Sequence, residues 1–211
     1  MTTDAKTRLN QLLEEASLPT LDTDTASRFG TYLSLLVRWN QRINLTAIRE
    51  EEQILSRHFV ESIACARALP VGIATLLDFG SGAGFPGIPI ALMRTEIAVT
   101  LTESQGRKAA FLHEAVRGLG IAAKVHTGRA ETVTTSFDCV ALRAVDRMSD
   151  AVKSAGDLVT TGGWLALMTT ETELIGLKEA AGQRFAWAAP VQLPGGAARI
   201  CAIGKRVNSP V

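Results

Sequence analysis

Apolar residues recur at helical spacing through the first seventy positions and then switch to short runs. Leu9, Leu12, Leu13 and Ala16 fall on one face of a first helix that ends near Ser17-Leu18-Pro19. Asp22 to Asp24 supply N-caps for a longer second helix, with Phe29, Tyr32, Leu33, Leu36, Val37 and Asn40 along its stripe. A third helix starts at Glu51 and carries Ile54, Leu55, His58, Phe59 and Ser62 before Leu69-Pro70-Val71-Gly72 breaks the pattern. From Ala74 onward, apolar runs at 74–79, 97–102, 122–126, 137–142 and 163–168 alternate with helix candidates that begin near Pro86, Gln105, Ala130, Asp150 and Glu171. Such alternation predicts a parallel sheet covered on both faces. The C-terminal part differs: residues 185–191, the turn Pro194-Gly195-Gly196 and residues 198–204 read as an antiparallel hairpin. The expected division is a helical N-terminal subdomain over 1–72 and an α/β core over 73–211.

Composition narrows this picture. Apolar residues make up 46% of the 211 positions and charged residues 20%, values of a globular chain rather than a disordered one. A formal net charge of +1 offers no global field for a polyanion, so nucleic-acid contact has to come from local clusters. Cys65, Cys139 and Cys201 are widely spaced and odd in number, which predicts reduced, buried thiols and no structural metal. No run of about 18 apolar residues is available to span a membrane. The polar start Met1-Thr2-Thr3-Asp4 lacks a signal-peptide core, so the expected location is cytoplasmic.

The most informative stretch is Leu76-Leu77-Asp78-Phe79-Gly80-Ser81-Gly82-Ala83-Gly84-Phe85-Pro86-Gly87. An apolar strand ends in a carboxylate, a glycine loop follows and Pro86 opens a helix, an arrangement that brings bare backbone and free N–H groups to a ligand. Gly82 to Gly87 also satisfy the dinucleotide pattern GxGxxG, which by itself is weak. The carboxylate of Asp78 weighs against a pyrophosphate and in favour of an ammonium group such as that of a methionine moiety. Glu103 closes the next strand, where a carboxylate takes both ribose hydroxyls of a nucleoside. A parallel sheet closed by an antiparallel hairpin, with such a loop, is the layout of class I S-adenosylmethionine-dependent methyltransferases, a Rossmann-like seven-stranded sheet whose last strand is antiparallel. Within this class the substrate can be an RNA or a small molecule; an NAD-binding dehydrogenase is the alternative from another class, and a non-catalytic ribosome-assembly factor with a degenerate loop is a third.

Further candidates follow along the chain. The turn Gly128-Arg129-Ala130-Glu131 passes the adenine side in this fold, so backbone at Ala130 and Glu131 can read the base edge. Arg143 interrupts an apolar strand, which is costly unless its fork meets a phosphate or a substrate or cofactor acceptor, and its expected catalytic role is to orient the substrate. The fourth-strand region reads Leu142-Arg143-Ala144-Val145-Asp146, without the Asn/Asp-Pro-Pro-aromatic motif that orients exocyclic amines. Cys139 has no base beside it and so does not serve C5 methylation of a pyrimidine. A ring nitrogen with its own lone pair, such as guanine N7, needs neither device. In the helical segment Trp39, Asn40, Asn44, Arg49 and His58 combine amides, cations and aromatic rings suited to an RNA loop, although each alone also fits a core, capping or solvated role.

Trp39-Asn40 with Asn44-Leu45-Thr46, Arg57-His58 with Glu61-Ser62, the loop from Asp78 to Pro89, and Arg143-Ala144 occur in one order and spacing. In these motifs the chain resembles the bacterial 16S ribosomal RNA guanine-N7 methyltransferases, the glucose-inhibited division protein B family, over nearly its whole length. The resemblance implies methyl transfer from S-adenosylmethionine to N7 of a guanine in the 16S rRNA of the small ribosomal subunit. It also implies cofactor contacts at Gly80, Phe85, Ala130, Glu131 and Arg143, to which the residue chemistry adds Asp78, Gly82 and Glu103. A monomer is expected. Two acidic positions differ from the family pattern conservatively, at Glu61 and Glu103, and the fifth strand reads Leu167-Met168-Thr169 where the family often has Leu-Lys-Gly.

Overall fold

The computed structural model describes residues 4–196 and 198–207. The helical half contains α1 (Ala5–Glu15) and α2 (Thr23–Asn40), the latter capped by Asp22, whose side chain accepts from the N–H groups of Asp24 and Thr25. The third helix is continuous but not uniform. It comprises α3 (Glu51–Ile54), a π-helical turn (Leu55–Val60) and α4 (Glu61–Ala68), and it ends where Leu69 turns extended before Pro70.

The core consists of β1 (Thr75–Phe79), β2 (Ala98–Glu103), β3 (Lys124–Thr127), β4 (Phe137–Arg143), β5 (Val159–Thr170), β6 (Phe185–Trp187), β7 (Val191–Gln192) and β8 (Arg199–Arg206). Helices α5 (Gly87–Met93), α6 (Gly106–Leu119), α7 (Met148–Leu158) and α8 (Glu171–Ala181) connect the strands. Strand order is β3-β2-β1-β4-β5-β8-β6, with the first five strands parallel and β8 antiparallel between β5 and β6. The chain winds outward from β1 through β2 to β3, then returns to β4 on the other side. That reversal between β1 and β4 opens a crevice at the strands' carboxyl ends.

Successive strand residues serve opposite faces. On one face Leu76, Leu101, Ala141 and Cys201 join Leu13, Phe29, Tyr32, Leu36 and Phe59 of the N-terminal helices in a single apolar cluster. On the other, Leu77, Val140, Leu142 and Leu165 pack with Val152 and Leu177 of α7 and α8. The helical half and the sheet therefore share a core.

Two elements differ from expectation. Where a helix was expected from Ala130, only a 3-10 turn forms (Ala130–Thr132), because the β-branched run Thr132-Val133-Thr134-Thr135 disfavours helix continuation. The hairpin arm expected over 185–191 breaks into β6 and β7 around Pro190, which has no N–H to give to a ladder. The two-residue β7 pairs with β8 and makes the sheet eight-stranded rather than seven-stranded. Cys65, Cys139 and Cys201 are free and buried, and the Sγ atoms of Cys65 and Cys201 lie 3.5 Å apart. Among the described residues no helix is long and apolar enough to cross a membrane.

Candidate active site

The crevice between β1 and β4 is a cavity of about 600 Å³, within the range that holds a nucleoside-sized ligand. One wall is the glycine loop, stitched to the end of β2. Thr102 Oγ1 donates to the Asp78 carbonyl and accepts from Gly80 N–H, while Ser81 N–H donates to the Thr102 carbonyl. Glu103 joins the two segments: Oε2 accepts from Gly82 N–H at 3.1 Å and Oε1 from Gln105 N–H at 2.7 Å. Each oxygen retains a lone pair toward the cavity, which suits a vicinal diol. Gly80 has φ +71°, and a Cβ there would lie 3.2 Å from Val145 Cγ2, a side chain that also lines the cavity. Gly87 is needed for close approach, since a Cβ would come within 2.3 Å of Leu101 Cδ2.

Asp78 departs from its expected role. It is fully buried, does not line the cavity, and turns Oδ2 onto Gly87 N–H at 3.0 Å, leaving Oδ1 without a partner. Burial pushes its pKa up to about 7. Rather than facing a ligand ammonium, the carboxyl fastens the start of α5 to the end of β1.

The opposite end of the cavity is made of side chains. Arg143, at the end of β4, donates to Glu61 Oε2 at 2.8 Å, to the Arg57 carbonyl at 2.5 Å and to Ser62 Oγ at 3.3 Å. Its guanidinium carbon lies 5.9 Å from the centre of the Phe85 ring. Arg57 and Arg199 also pair with Glu61, so one buried carboxylate balances three guanidiniums. His58 stacks on Phe85 with ring centres 4.8 Å apart. Thr46 Oγ1 accepts from Ile48 N–H and lies 2.8 Å from His58 Nε2, while the buried His58 Nδ1 has no partner among the described residues. Burial, reinforced by Arg143, lowers the His58 pKa to about 3, and the ring is neutral at physiological pH.

Of the residues singled out from sequence, Gly80, Gly82, Phe85, Glu103, Ala130, Glu131, Arg143 and His58 line this one cavity. Trp39, Asn40, Asn44 and Arg49 do not. Trp39 donates its indole N–H to Glu114 and packs edge-on against Phe111, and Asn40 is buried, its Oδ1 accepting from Leu45 and Thr46 N–H. Trp39 thus ties α2 to α6, and Asn40 holds the 41–48 connection in place. Asn44 and Arg49 are exposed and hydrogen-bonded to each other. Thr102 lines the cavity unannounced by any motif, and Thr46 and Val145, which stood within motifs without an assigned role, line it as well. The balancing role of Glu61 was half visible in its i,i+4 spacing from Arg57.

Residues 25–190 match the family described as rRNA small subunit methyltransferase G. A Ribosomal RNA small subunit methyltransferase G from Xanthomonas campestris is 40% identical over 181 residues, covering 83% of this chain and 84% of the relative. The chain belongs to this family. In this member Met168 and Thr169, which stand where a lysine-glycine pair was expected, lie off the cavity: Met168 is buried and Thr169 donates to Glu173. The fold is that of a methyltransferase from Pyrococcus furiosus (TM-score 0.62, 14% identity, covering 87% of this chain and all of that one). A Pyrococcus horikoshii protein, TYW2, solved in complex with MeSAdo, has the same fold at TM-score 0.56 and 12% identity, covering 70% of this chain and 61% of that one.

Proposed function

We propose that this protein transfers a methyl group from S-adenosylmethionine to N7 of a guanine in 16S rRNA, by direct in-line displacement. The observation that carries the reading is the single cavity at the β1/β4 reversal, walled by the glycine loop and Glu103 on one side and by Arg143, Phe85 and His58 on the other. Family membership supports the rRNA substrate, and the MeSAdo-bound neighbour supports the nucleoside.

S-adenosylmethionine supplies an electrophilic methyl group on a sulfonium. The protein's own residues bind and orient. Glu103 would take the ribose hydroxyls, and backbone at Ala130 and Glu131 would meet the adenine edge. The loop from Gly80 to Phe85 would hold the methionine end. Guanine N7 carries an in-plane lone pair and no proton, so alignment suffices and no general base is required. The surroundings agree with that chemistry. His58, its pKa lowered by burial to about 3, is a weak base; Glu61, behind the wall, is engaged by three arginines; and in the core below, burial pushes the Cys139 thiol up, so that it offers no thiolate. We take the monomer to be the acting form. An rRNA substrate places that reaction in the bacterial cytoplasm.

The test is tritium transfer from labelled S-adenosylmethionine onto purified small ribosomal subunits, followed by mapping of the modified base. Label at N7 of a single 16S guanine is expected. Label on another base, or none on subunits, naked rRNA or assembly intermediates, overturns the assignment.

A further inference from the structure

One hydrogen bond reaches the cofactor loop from outside the α/β core. Tyr32, in α2, donates its hydroxyl to the Ala83 carbonyl at 2.6 Å, across 51 residues of sequence. The phenol is fully buried, stacked on Phe59 at 5.1 Å and tilted against Phe85 at 5.4 Å. Ala83 sits between Gly82 (φ +56°) and Gly84 (φ +92°), where backbone without Cβ atoms has little intrinsic preference for one peptide orientation. Gly87 N–H, four residues on, would be the natural helical donor to that carbonyl, but Asp78 takes it. Among the hydrogen bonds of the described residues, Ala83 O has Tyr32 as its donor. Without the hydroxyl this carbonyl would be an unsatisfied acceptor against an aromatic cluster, which favours turning the peptide toward the cavity. Burial keeps the phenol protonated, its pKa pushed well above the ordinary value.

We propose that Tyr32 is a positioning residue for cofactor binding: by holding the Ala83 carbonyl it fixes the loop and Phe85 in the orientation that walls the cavity. The N-terminal helices then take part in forming the cofactor site. This rests on the reading of the cavity as the S-adenosylmethionine site. Tyr32→Phe keeps the ring and its stacking and removes only the hydroxyl. In calorimetry the Kd for S-adenosylmethionine rises about fivefold to tenfold, the scale of one lost neutral hydrogen bond. The KM for the cofactor rises with it, while kcat at saturating cofactor and the KM for RNA stay within about twofold of wild type. Leu36→Ala, equally buried in the same helix, lowers stability with the hydroxyl in place and leaves the Kd unchanged. A Tyr32→Phe Kd within twofold of wild type overturns the proposal, as does an equal loss of affinity in Leu36→Ala. A wild-type chain that fails to bind S-adenosylmethionine overturns the cofactor reading itself, a result separable from both.

Discussion

At the Glu103 end of the cavity the protein presents backbone, with the Gly82 and Gln105 amides held by one carboxylate and Gly80 N–H and the Asp78 carbonyl held by Thr102. At the Arg143 end it presents side chains from β4, β8 and the π-turn, gathered around a glutamate that stands 82 and 138 residues from two of its partners. The first end is built for shape and hydrogen-bond direction. The second is built for charge, and it holds together only when the helical half is docked on the sheet. Losing a contact at the first end should therefore cost ligand affinity, and at the second, stability.

The largest test of this contrast is at the loop. Gly80→Arg places a long side chain at a positive φ, against Val145 and into the cavity, and S-adenosylmethionine binding should vanish in calorimetry while the cooperative unfolding transition remains. Retained affinity would remove Gly80 from the site. Next, Glu61→Ala strips the shared carboxylate from a nearly buried Arg143 and leaves three guanidiniums facing one another. Breaking a buried pair in this way costs about 3–5 kcal/mol, read as a lower urea midpoint, and a loss under about 1 kcal/mol would mean the cluster is solvated.

A subtler test separates the buried carboxyl under the loop from the ligand face. The Asp78 pKa is raised from its ordinary 3.8 to about 7, so the folded state keeps a proton that the unfolded chain releases. Its stabilising contribution is whole below pH 3.8 and is lost as pH rises through about 7. His58 acts in the opposite sense, since its folded pKa of about 3 lies below the ordinary 6.5 and its contribution is lost as pH falls through that interval. Asp78→Asn leaves the histidine term intact. Thermal unfolding of the variant against wild type should show the wild type losing relative stability between about pH 4 and pH 7, and parallel curves would refute the shift. The smallest effect is expected from Trp39→Phe, which removes the bond to Glu114 for about 1 kcal/mol with kcat/KM for rRNA unchanged. A selective rise in the KM for RNA would return Trp39 to the substrate face.

The same contrast explains what the sequence disclosed. The glycine loop, Glu103 and Arg143 were legible because strand, turn and helix fall in consecutive residues there, and the order of residue types alone predicts where backbone meets ligand. Helical stripes such as Phe29, Tyr32 and Leu36 were legible from spacing, and all three are buried. What the order of residues leaves out is direction rather than position. Asp78 stands at the strand end as expected, but nothing in sequence says that its carboxyl points down at Gly87 rather than up at a ligand. Trp39 and Asn40 carry RNA-like chemistry, yet their partners, Glu114 and the 45–48 backbone, are set by the packing of α2 on α6 and by the path of a loop. The 3-10 turn at Ala130 shows local β-branching overriding a helix expected from the alternation of elements.

The π-turn over Leu55–Val60 has a consequence for how such chains diverge. A turn of this kind corresponds to one extra residue within an otherwise ordinary helix. Because the wide turn absorbs that residue, α3 and α4 keep the facing of an uninterrupted helix; deleting it would close the turn to α geometry, leave Ile54 on the core face and shift the Arg57 carbonyl that Arg143 holds. A single-residue insertion or deletion here is thus unlike one in a surface loop. Between homologues, a one-position gap in this helix would mark a change in how the helical half is keyed to the sheet, and lineages that keep the arginine cluster should keep the helix length with it.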